Sequence, residues 1–254
     1  MKATRGILLV LAVLMIAAVP ARAQDPEAQT NPADPRENDR FGEIHLWIGQ
    51  LAPDAKSNFW DDNFRNFTAR RSRLDGPIFG GDYLYHLDRH NAVMLSSSLY
   101  INTISEPARN VQDENGNPLE HHLELAVGSL AASYVLYPAG SSDHAVIPYL
   151  GAGAGLYLGE LQTFRQQFTT TSDTCADPDS SCTDTTFVDG NSAFFAALGY
   201  FFVAGVQVPV SDHFAVEVEG RYTVAKANLG SDFKGNSELD LSGGQVAAGV
   251  AIRF

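Results

Sequence analysis

The chain has 254 residues, of which 44% are hydrophobic and 19% are charged, and this composition excludes a disordered or collagen-like protein. Acidic residues outnumber basic ones by 30 to 17, which argues against a nucleic-acid-binding protein because such proteins present a basic face to phosphates. Two cysteines are too few for a disulfide scaffold or for a structural zinc site.

The first 23 residues have the organisation of a secretory signal peptide. Lys2 and Arg5 precede an apolar run at residues 7–19, and Ala21-Arg22-Ala23 then forms an A-x-A cleavage site. The run would cross only about 20 Å of the roughly 30 Å hydrocarbon core, so we favour a cleaved signal peptide over a membrane anchor. Cleavage after Ala23 removes three bases and no acids, and the mature chain then carries a formal charge of −16.

Residues 24–40 are predicted to form a flexible periplasmic tail. This segment contains three prolines and lacks large apolar side chains, so it cannot contribute to a core. Export also places Cys175 and Cys182 in an oxidising compartment, where we expect them to form a disulfide that closes a short loop.

From residue 41 onward the hydrophobicity alternates with a period of two, which predicts β-strands. Phe214, Val216 and Val218, for example, alternate with Glu217 and Glu219. Eight such segments lie near residues 41–52, 78–87, 92–105, 122–137, 145–159, 193–208, 213–227 and 239–254. They are longer than the usual soluble strand of about 5–6 residues and suit tilted strands that cross a bilayer, which need about 9–11.

The predicted connections alternate in length. Four are long, at residues 53–77, 106–121, 160–192 and 228–238, and three are short, at residues 88–91, 138–144 and 209–212. Short turns on one side and long loops on the other are typical of outer-membrane barrels. An even number of strands places both chain ends on the short-turn side, as the periplasmic arrival of an exported chain requires.

A soluble lipocalin-like barrel would also have eight strands, but its apolar side chains would point inward. On the apolar face of the seventh segment, Phe214 and Tyr222 flank valines, as aromatic girdles flank the lipid-facing band of a membrane barrel. We therefore predict an all-β protein, a monomeric eight-stranded antiparallel up-and-down transmembrane barrel formed by residues 41–254.

Three stretches resemble the small outer-membrane β-barrel proteins of Gram-negative bacteria, the group that includes OmpX, OmpW and the OmpA barrel domain. Residues 148–155 (PYLGAGAG) are similar to the PY-x-GAG-x-G strand of that group, and residues 214–222 (FAVEVEGRY) to its penultimate strand. The chain ends in Val250, Ile252 and Phe254 at alternate positions, like the family's C-terminal assembly signal. The resemblance implies an outer-membrane location and recognition of the last strand by the barrel-assembly machinery.

Ionisable side chains fall at inward positions of the predicted barrel. An eight-stranded barrel is just wide enough for side chains to fill, and buried charges must be paired or hydrated. We expect a charge cluster in the lumen, formed by Glu43, His45, Asp82, His86, Glu217, Glu219, Arg221 and Arg253, with Glu124 and Gln245 also inward. Such a cluster is interpreted as a structural plug, although a proton- or ion-conducting gate would use the same groups.

Glycines and aromatic residues alternate on the predicted fifth and sixth strands. The inward positions are Tyr149, Gly151, Gly153, Gly155 and Tyr157 on one, and Phe195, Ala197, Gly199, Phe201 and Val203 on the other. Rings packed over glycines explain the pattern. The resemblance to OmpW offers a second interpretation, a narrow apolar conduit for small hydrophobic molecules.

The first long loop combines aromatic rings with arginines. Four rings lie within nine residues, namely Phe59, Trp60, Phe64 and Phe67. Trp60, Phe64, Phe67 and Arg71 are spaced four, three and four apart, which predicts a short amphipathic helix. We expect its rings to contact acyl chains and its arginines to meet lipopolysaccharide phosphates. In the alternative, the rings fold over the barrel mouth as a lid.

Enzymes that modify lipid A use the same scaffold, and they need a nucleophile, a base and an orienting group within reach. Ser96, Ser98, His121, His122 and Glu124 could supply such a set, but the His-x-Ser-Asn pattern of the deacylase family is absent. Five aspartates near residues 173–189 follow no EF-hand spacing. We therefore predict neither enzymatic activity nor a metal or other cofactor. The expected role is structural or surface-interacting, with a narrow channel as the alternative.

Overall fold

The computed structural model describes residues 42–112, 118–141, 145–172, 182–233 and 238–254. Its nine strands are β1 (Gly42–Pro53), β2 (Gly76–His86), β3 (Asn91–Gln112), β4 (Pro118–Leu136), β5 (Ile147–Ser172), β6 (Cys182–Pro209), β7 (Phe214–Asn228), β8 (Glu238–Asp240) and β9 (Gly243–Arg253). One α-helix, α1 (Asn58–Asn66), lies between β1 and β2. The predicted signal peptide and periplasmic tail fall outside the described residues.

Eight of the strands form a closed antiparallel barrel in which sequence neighbours pair. Sequence neighbours pair from β1 to β7 and from β7 to β9, and β9 pairs with β1 to close the cylinder. The prediction of an up-and-down eight-stranded barrel is thus confirmed. The predicted eighth strand is instead two strands, because β8 pairs with the end of β7 and the chain bends at Leu241 and Ser242 before β9 begins.

Two of the predicted long loops are largely wrong. β3 continues to Gln112 and pairs with β4 beyond the apolar region, and β5 continues to Ser172 opposite β6. Backbone hydrogen bonding extends these hairpins where the apolar alternation has already ended, so the sequence pattern underestimates them. The short turns lie at the other end of the barrel, which we call the short-turn end, and the opposite end is the long-loop end.

The exterior of the barrel is apolar and its interior carries the charges. Val216, Val218 and Val250 are 45%, 53% and 44% exposed, whereas Glu217 and Arg253 are buried. Phe214 and Tyr222 are exposed on the same face of β7, on either side of Val216 and Val218. This is the orientation of a membrane-spanning barrel and excludes the lipocalin-like alternative. Among the described residues, the helices are too short and too polar to cross a bilayer.

The interior divides into two apolar clusters. One lies at the long-loop end and includes Trp60, Tyr100 and Leu161, and the other lies at the short-turn end and includes Met94 and Tyr137. The residues of the predicted charge cluster lie beside and between these clusters, on the inner faces of β1, β2, β7 and β9.

Candidate functional site

The structure brings all eight residues of the predicted lumen charge cluster into the barrel interior, where each is at most 8% exposed. They lie on four neighbouring strands, and strand register explains their meeting. Glu43 is opposite Arg253, and His45 is opposite Asp82. Small residues of β9 such as Ala247 leave room for the long side chains of β1 and β7.

Glu43 is the centre of the network at the short-turn end. Its carboxylate lies 3.0 Å from His45 Nε2, 3.2 Å from His86 Nε2 and 3.1 Å from Arg253 Nε. The other ring nitrogen of His45, Nδ1, lies 2.9 Å from Glu217. One buried carboxylate therefore serves two imidazoles and one guanidinium.

Gln207 joins this network from the neighbouring strand β6, where it is opposite Glu217 of β7. Its side chain is fully buried, its Oε1 accepts a hydrogen bond of 2.7 Å from Arg253, and its Nε2 donates to Glu43 over 3.3 Å. The sequence interpretation missed it, although a glutamine at an inward position of an apolar strand is a usable signal. Together these buried side chains link strands β1, β6 and β9 at the short-turn end of the lumen.

Arg221 is the centre of a second network, nearer the middle of the barrel. Its NH2 group lies 3.0 Å from Glu219 and 3.5 Å from Asp82. Trp47 Nε1 donates a hydrogen bond of 2.8 Å to Asp82, and the Tyr149 hydroxyl donates one of 2.9 Å to Glu219. Both carboxylates thus have a cation and a neutral donor, as buried charges require.

Aromatic rings enclose the Arg221 guanidinium. Its Cζ lies 5.7 Å from the Trp47 ring centroid and 4.9 Å from that of Phe201, which are cation–π distances. Trp47 was also missed in the sequence, although it occupies the inward position after His45. The guanidinium is therefore held by charge on its edge and by rings beside it.

Aromatic rings inside the barrel pack over glycines. This packing is what the first interpretation of the pattern predicts, whereas the alternative of an apolar conduit does not require it. A Cβ on Gly205 would collide with the Tyr149 ring, and one on Gly80 would collide with the Trp47 ring and the Ser97 carbonyl oxygen. The aromatic residues predicted to point inward on β5 and β6 are buried, namely Tyr149, Tyr157, Phe195 and Phe201.

Replacing Gly80 with alanine should lower the free energy of unfolding by about 1–3 kcal/mol, because the new methyl group must displace Trp47 or the β3 backbone. Gly220→Ala is the matched control, since its Cβ would meet no atom closer than 3.9 Å. We expect that control to be neutral or slightly stabilising. Urea titration of the refolded barrels measures both, and equal effects would contradict the packing described.

The helix α1 forms where the sequence predicts it, but its rings do not face lipid. Phe59 and Trp60 are 3% and 1% exposed and pack with Phe233 in the mouth of the barrel. The predicted contact of these two rings with acyl chains is therefore wrong, and the lid alternative describes them. In the barrel mouth α1 buries both rings while polar residues such as Asp61 and Arg65 remain exposed.

Asp240 anchors the lid, which is the helix α1 with the residues just before it. Its carboxylate accepts a hydrogen bond of 2.9 Å from the Lys56 amide, and its carbonyl oxygen accepts one of 3.1 Å from Trp60 Nε1. Ser57 Oγ accepts a bond of 3.3 Å from the Asp240 amide. All these bonds converge on the bend between β8 and β9, so the bend is what anchors the start of α1.

The remaining residues of the predicted loop interface lie farther from the axis. Phe64 is half-buried and stacks on Trp60 with 6.1 Å between ring centroids, and Arg71 lies 6.0 Å from the Phe64 centroid. Phe67 stacks on His121 of β4 at 4.1 Å. The loop thus crosses the mouth from β9 to the β3–β4 hairpin.

Asp54 gives the lid segment a measurable pH response. Hydrogen bonds from Lys56 Nζ (2.8 Å) and the Tyr222 hydroxyl (2.7 Å) lower the pKa of Asp54 below its ordinary value of 3.8. The stabilisation from ionised Asp54 is therefore complete above pH 3.8 and is lost as the pH falls through the lowered pKa.

We expect Asp54→Asn to reduce the free energy of unfolding by about 0.5–1 kcal/mol at neutral pH, the value of a largely exposed pair. The difference from the unsubstituted protein should stay constant between pH 8 and pH 5 and shrink in stronger acid. Denaturant titrations at several pH values measure it, and a difference that grows on acidification would contradict the assignment.

A cavity of about 50 Å³ separates the lid from the Arg221 network. Trp60 lies at its outer end and Arg221 and Gln245 at its inner end, with Leu125 and Tyr157 among the walls. At about 10–15 Å³ for each water, the cavity has room for a few water molecules. Gln245 Nε2 is buried without a protein partner, so such water would hydrate it.

The candidate catalytic residues are scattered. Ser98 Oγ lies 2.7 Å from Ser129 Oγ inside the barrel, whereas Ser105 Oγ lies 2.6 Å from His122 Nδ1 on an exposed part of the β3–β4 hairpin. Strand register keeps them apart, because Ser98 is opposite Ser129, whereas His122 and His121 are opposite Ser105 and Glu106. The nucleophile, base and acid of a hydrolase are thus not brought together by the residues that the sequence suggested.

Two other groups of predicted residues are the C-terminal assembly signal and the two cysteines. Val250 and Phe254 are exposed on the outer face of the last strand, and Ile252 is half-buried between them. Cys175 lies outside the described residues, so the predicted disulfide with Cys182 stays a prediction. Within the described ranges, no cluster of His, Cys, Asp and Glu has the arrangement of a metal site.

No family model and no curated protein matches the chain. The outer membrane protein OprG of Pseudomonas aeruginosa is 14% identical, with a TM-score of 0.46, and the match covers 84% of this chain and 96% of OprG. The chain is similar to small outer-membrane barrels. Neisserial surface protein A matches at 14% identity and a TM-score of 0.45, over 84% of this chain and 97% of its own. Ail of Yersinia pestis, solved in complex with the heparin analogue sucrose octasulfate, matches at 15% identity with a TM-score of 0.40, over 84% of this chain and 99% of Ail.

Proposed function

We propose that the protein is a non-enzymatic outer-membrane barrel with a sealed lumen and a structural or surface-interaction role. The observation that supports this role is the double closure of the barrel, by Glu43, Gln207 and Arg253 at one end and by Trp60 and α1 at the other. A lumen filled in this way stabilises the barrel and leaves the long-loop end to interact.

Planar bilayers containing the purified protein test the sealed lumen. We expect no steady unitary conductance from the unsubstituted protein. Steady conductance that is lost when Arg253 or Glu217 is neutralised would overturn the proposal in favour of the second candidate, a narrow channel for small solutes. The cavity beneath the lid is the observation that favours this second candidate.

Location, processing and chemistry have separate tests. We propose export by a signal peptide cleaved after Ala23, and amino-terminal sequencing of the outer-membrane protein should then begin at Gln24. We also propose a monomer whose last strand is recognised by the barrel-assembly machinery. Mass spectrometry of lipid A from cells with and without the protein should show the same species, whereas loss of an acyl chain would reveal an enzyme.

A further inference from the structure

A run of arginines lies where the lid segment leaves the barrel mouth and reaches β3. Arg65, Arg70, Arg71 and Arg73 fall within nine residues that contain no acid. Arg109 of β3 joins them, because its Nε donates a hydrogen bond of 2.7 Å to the Phe67 carbonyl oxygen. We call these five arginines the arginine rim. The rest of the mature sequence is strongly acidic, so this concentration of positive charge is unusual for the chain.

The rim is exposed and only weakly neutralised. The side chains of Arg65, Arg71 and Arg73 are 74%, 55% and 70% exposed. Their described acidic partners are Asp62 at 3.3 Å, Asp61 at 3.8 Å and Glu106 at 3.3 Å. Exposed ion pairs of this kind contribute little, about 0–1 kcal/mol, so five arginines remain able to bind an additional anion. Guanidinium groups bind phosphate through paired N–H donors.

The position of the rim along the barrel axis indicates that the anion is a lipid headgroup. Phe79 is exposed on the barrel exterior near the long-loop end and is opposite Leu99 of β3. Exposed aromatic rings of membrane barrels mark the membrane interface. Asn102, three residues farther along β3, donates a hydrogen bond of 2.9 Å to the Arg73 carbonyl oxygen. On a strand tilted by roughly 40°, three residues rise by about 8 Å. Arg73 thus lies just beyond the hydrocarbon, in the layer where lipid headgroups carry their phosphates.

We propose that the arginine rim binds the phosphate groups of outer-leaflet lipopolysaccharide. The proposal rests on the proposed function for its orientation, with the long-loop end outside the cell. The lid buries its aromatic rings in the barrel mouth and leaves its arginines at the membrane surface, so the same segment closes the lumen and holds the surrounding lipid.

Lipid A titrations of the full barrel in zwitterionic detergent micelles test the rim. Bisphosphorylated lipid A is the probe, dephosphorylated lipid A is its control, and NMR signals of the arginine Nε–H groups report binding. The triple variant R70Q/R71Q/R73Q should bind the phosphorylated form about tenfold more weakly and with less dependence on salt. Arg89→Gln, in a turn at the short-turn end, is the matched control and should bind like the unsubstituted protein.

Three results would overturn the proposal. The triple variant could bind as tightly as the unsubstituted protein, the dephosphorylated lipid could bind as tightly as the phosphorylated one, or soluble heparin alone could occupy the rim. Failure of the proposed function is distinguishable. If the barrel were inserted in the opposite orientation, the Arg89 variant and not the triple variant would bind lipopolysaccharide more weakly in cells. If the protein were a channel, it would conduct in bilayers whether or not the rim binds lipid.

Discussion

Replacing Glu43 with alanine is expected to lower the free energy of unfolding by about 3–5 kcal/mol, one of the two largest effects of any substitution considered. The side chain is 4% exposed and contacts His45, His86 and Arg253. Its removal leaves the arginine and both imidazoles buried without their shared carboxylate. Urea titration of the refolded barrel, followed by the mobility difference between boiled and unboiled samples, measures the loss.

Glu238→Ala is the matched control for that substitution. Glu238 also pairs with a cation, Lys226 at 2.9 Å, but its side chain is 56% exposed, and we expect a change below about 1 kcal/mol. Similar effects of the two substitutions would show that the lumen network is hydrated enough to behave like surface charge. A small effect of Glu43→Ala alone would contradict its central position.

Replacing Trp60 with alanine should cost a further large amount, about 3–5 kcal/mol, because a fully buried indole leaves a cavity and a lost hydrogen bond to the Asp240 carbonyl oxygen. The lid should also become accessible to proteases while the strands stay folded, since α1 is held mainly by its rings and by Asp240. Limited proteolysis with mass spectrometry locates the first cleavage.

Two variants separate packing from hydrogen bonding at the lid. Trp60→Phe keeps a ring but removes the N–H group and should cost less than half as much as alanine. Phe64→Ala removes a ring that is only half-buried and should also have a smaller effect. Full resistance of the Trp60→Ala lid to proteases would show that the mouth closes by other contacts.

The orientation of the barrel could be predicted from sequence because a period of two assigns each strand residue to one of two faces. Val216 and Glu217 are adjacent in the chain yet meet hydrocarbon and lumen, and only a membrane barrel places them this way round. The membership of the charge cluster follows from the same alternation. The individual ion pairs do not, because they depend on strand register, on the lengths of the side chains and on partners from further strands, such as Gln207 of β6.

The position of the lid could not be predicted from the sequence pattern. The aromatic stripe of α1 predicts that one face is buried. The same stripe would suit a helix on lipid and a helix in a barrel mouth. The choice depends on Leu229, Phe233 and Leu239, which come from the other end of the chain and complete the apolar surface. The long hairpins were underestimated for a related reason, since a two-stranded ladder in water needs no continuous apolar face.

The pairing of Glu43 with Arg253 has a consequence for the order of assembly. These residues come from the first and the last strand, which meet only when the sheet becomes a cylinder. Until that moment the two charges cannot neutralise each other, and an unpaired charge is costly to bury. Formation of this ion pair therefore coincides with the joining of the two ends of the sheet, so both residues contribute to the closure of the barrel.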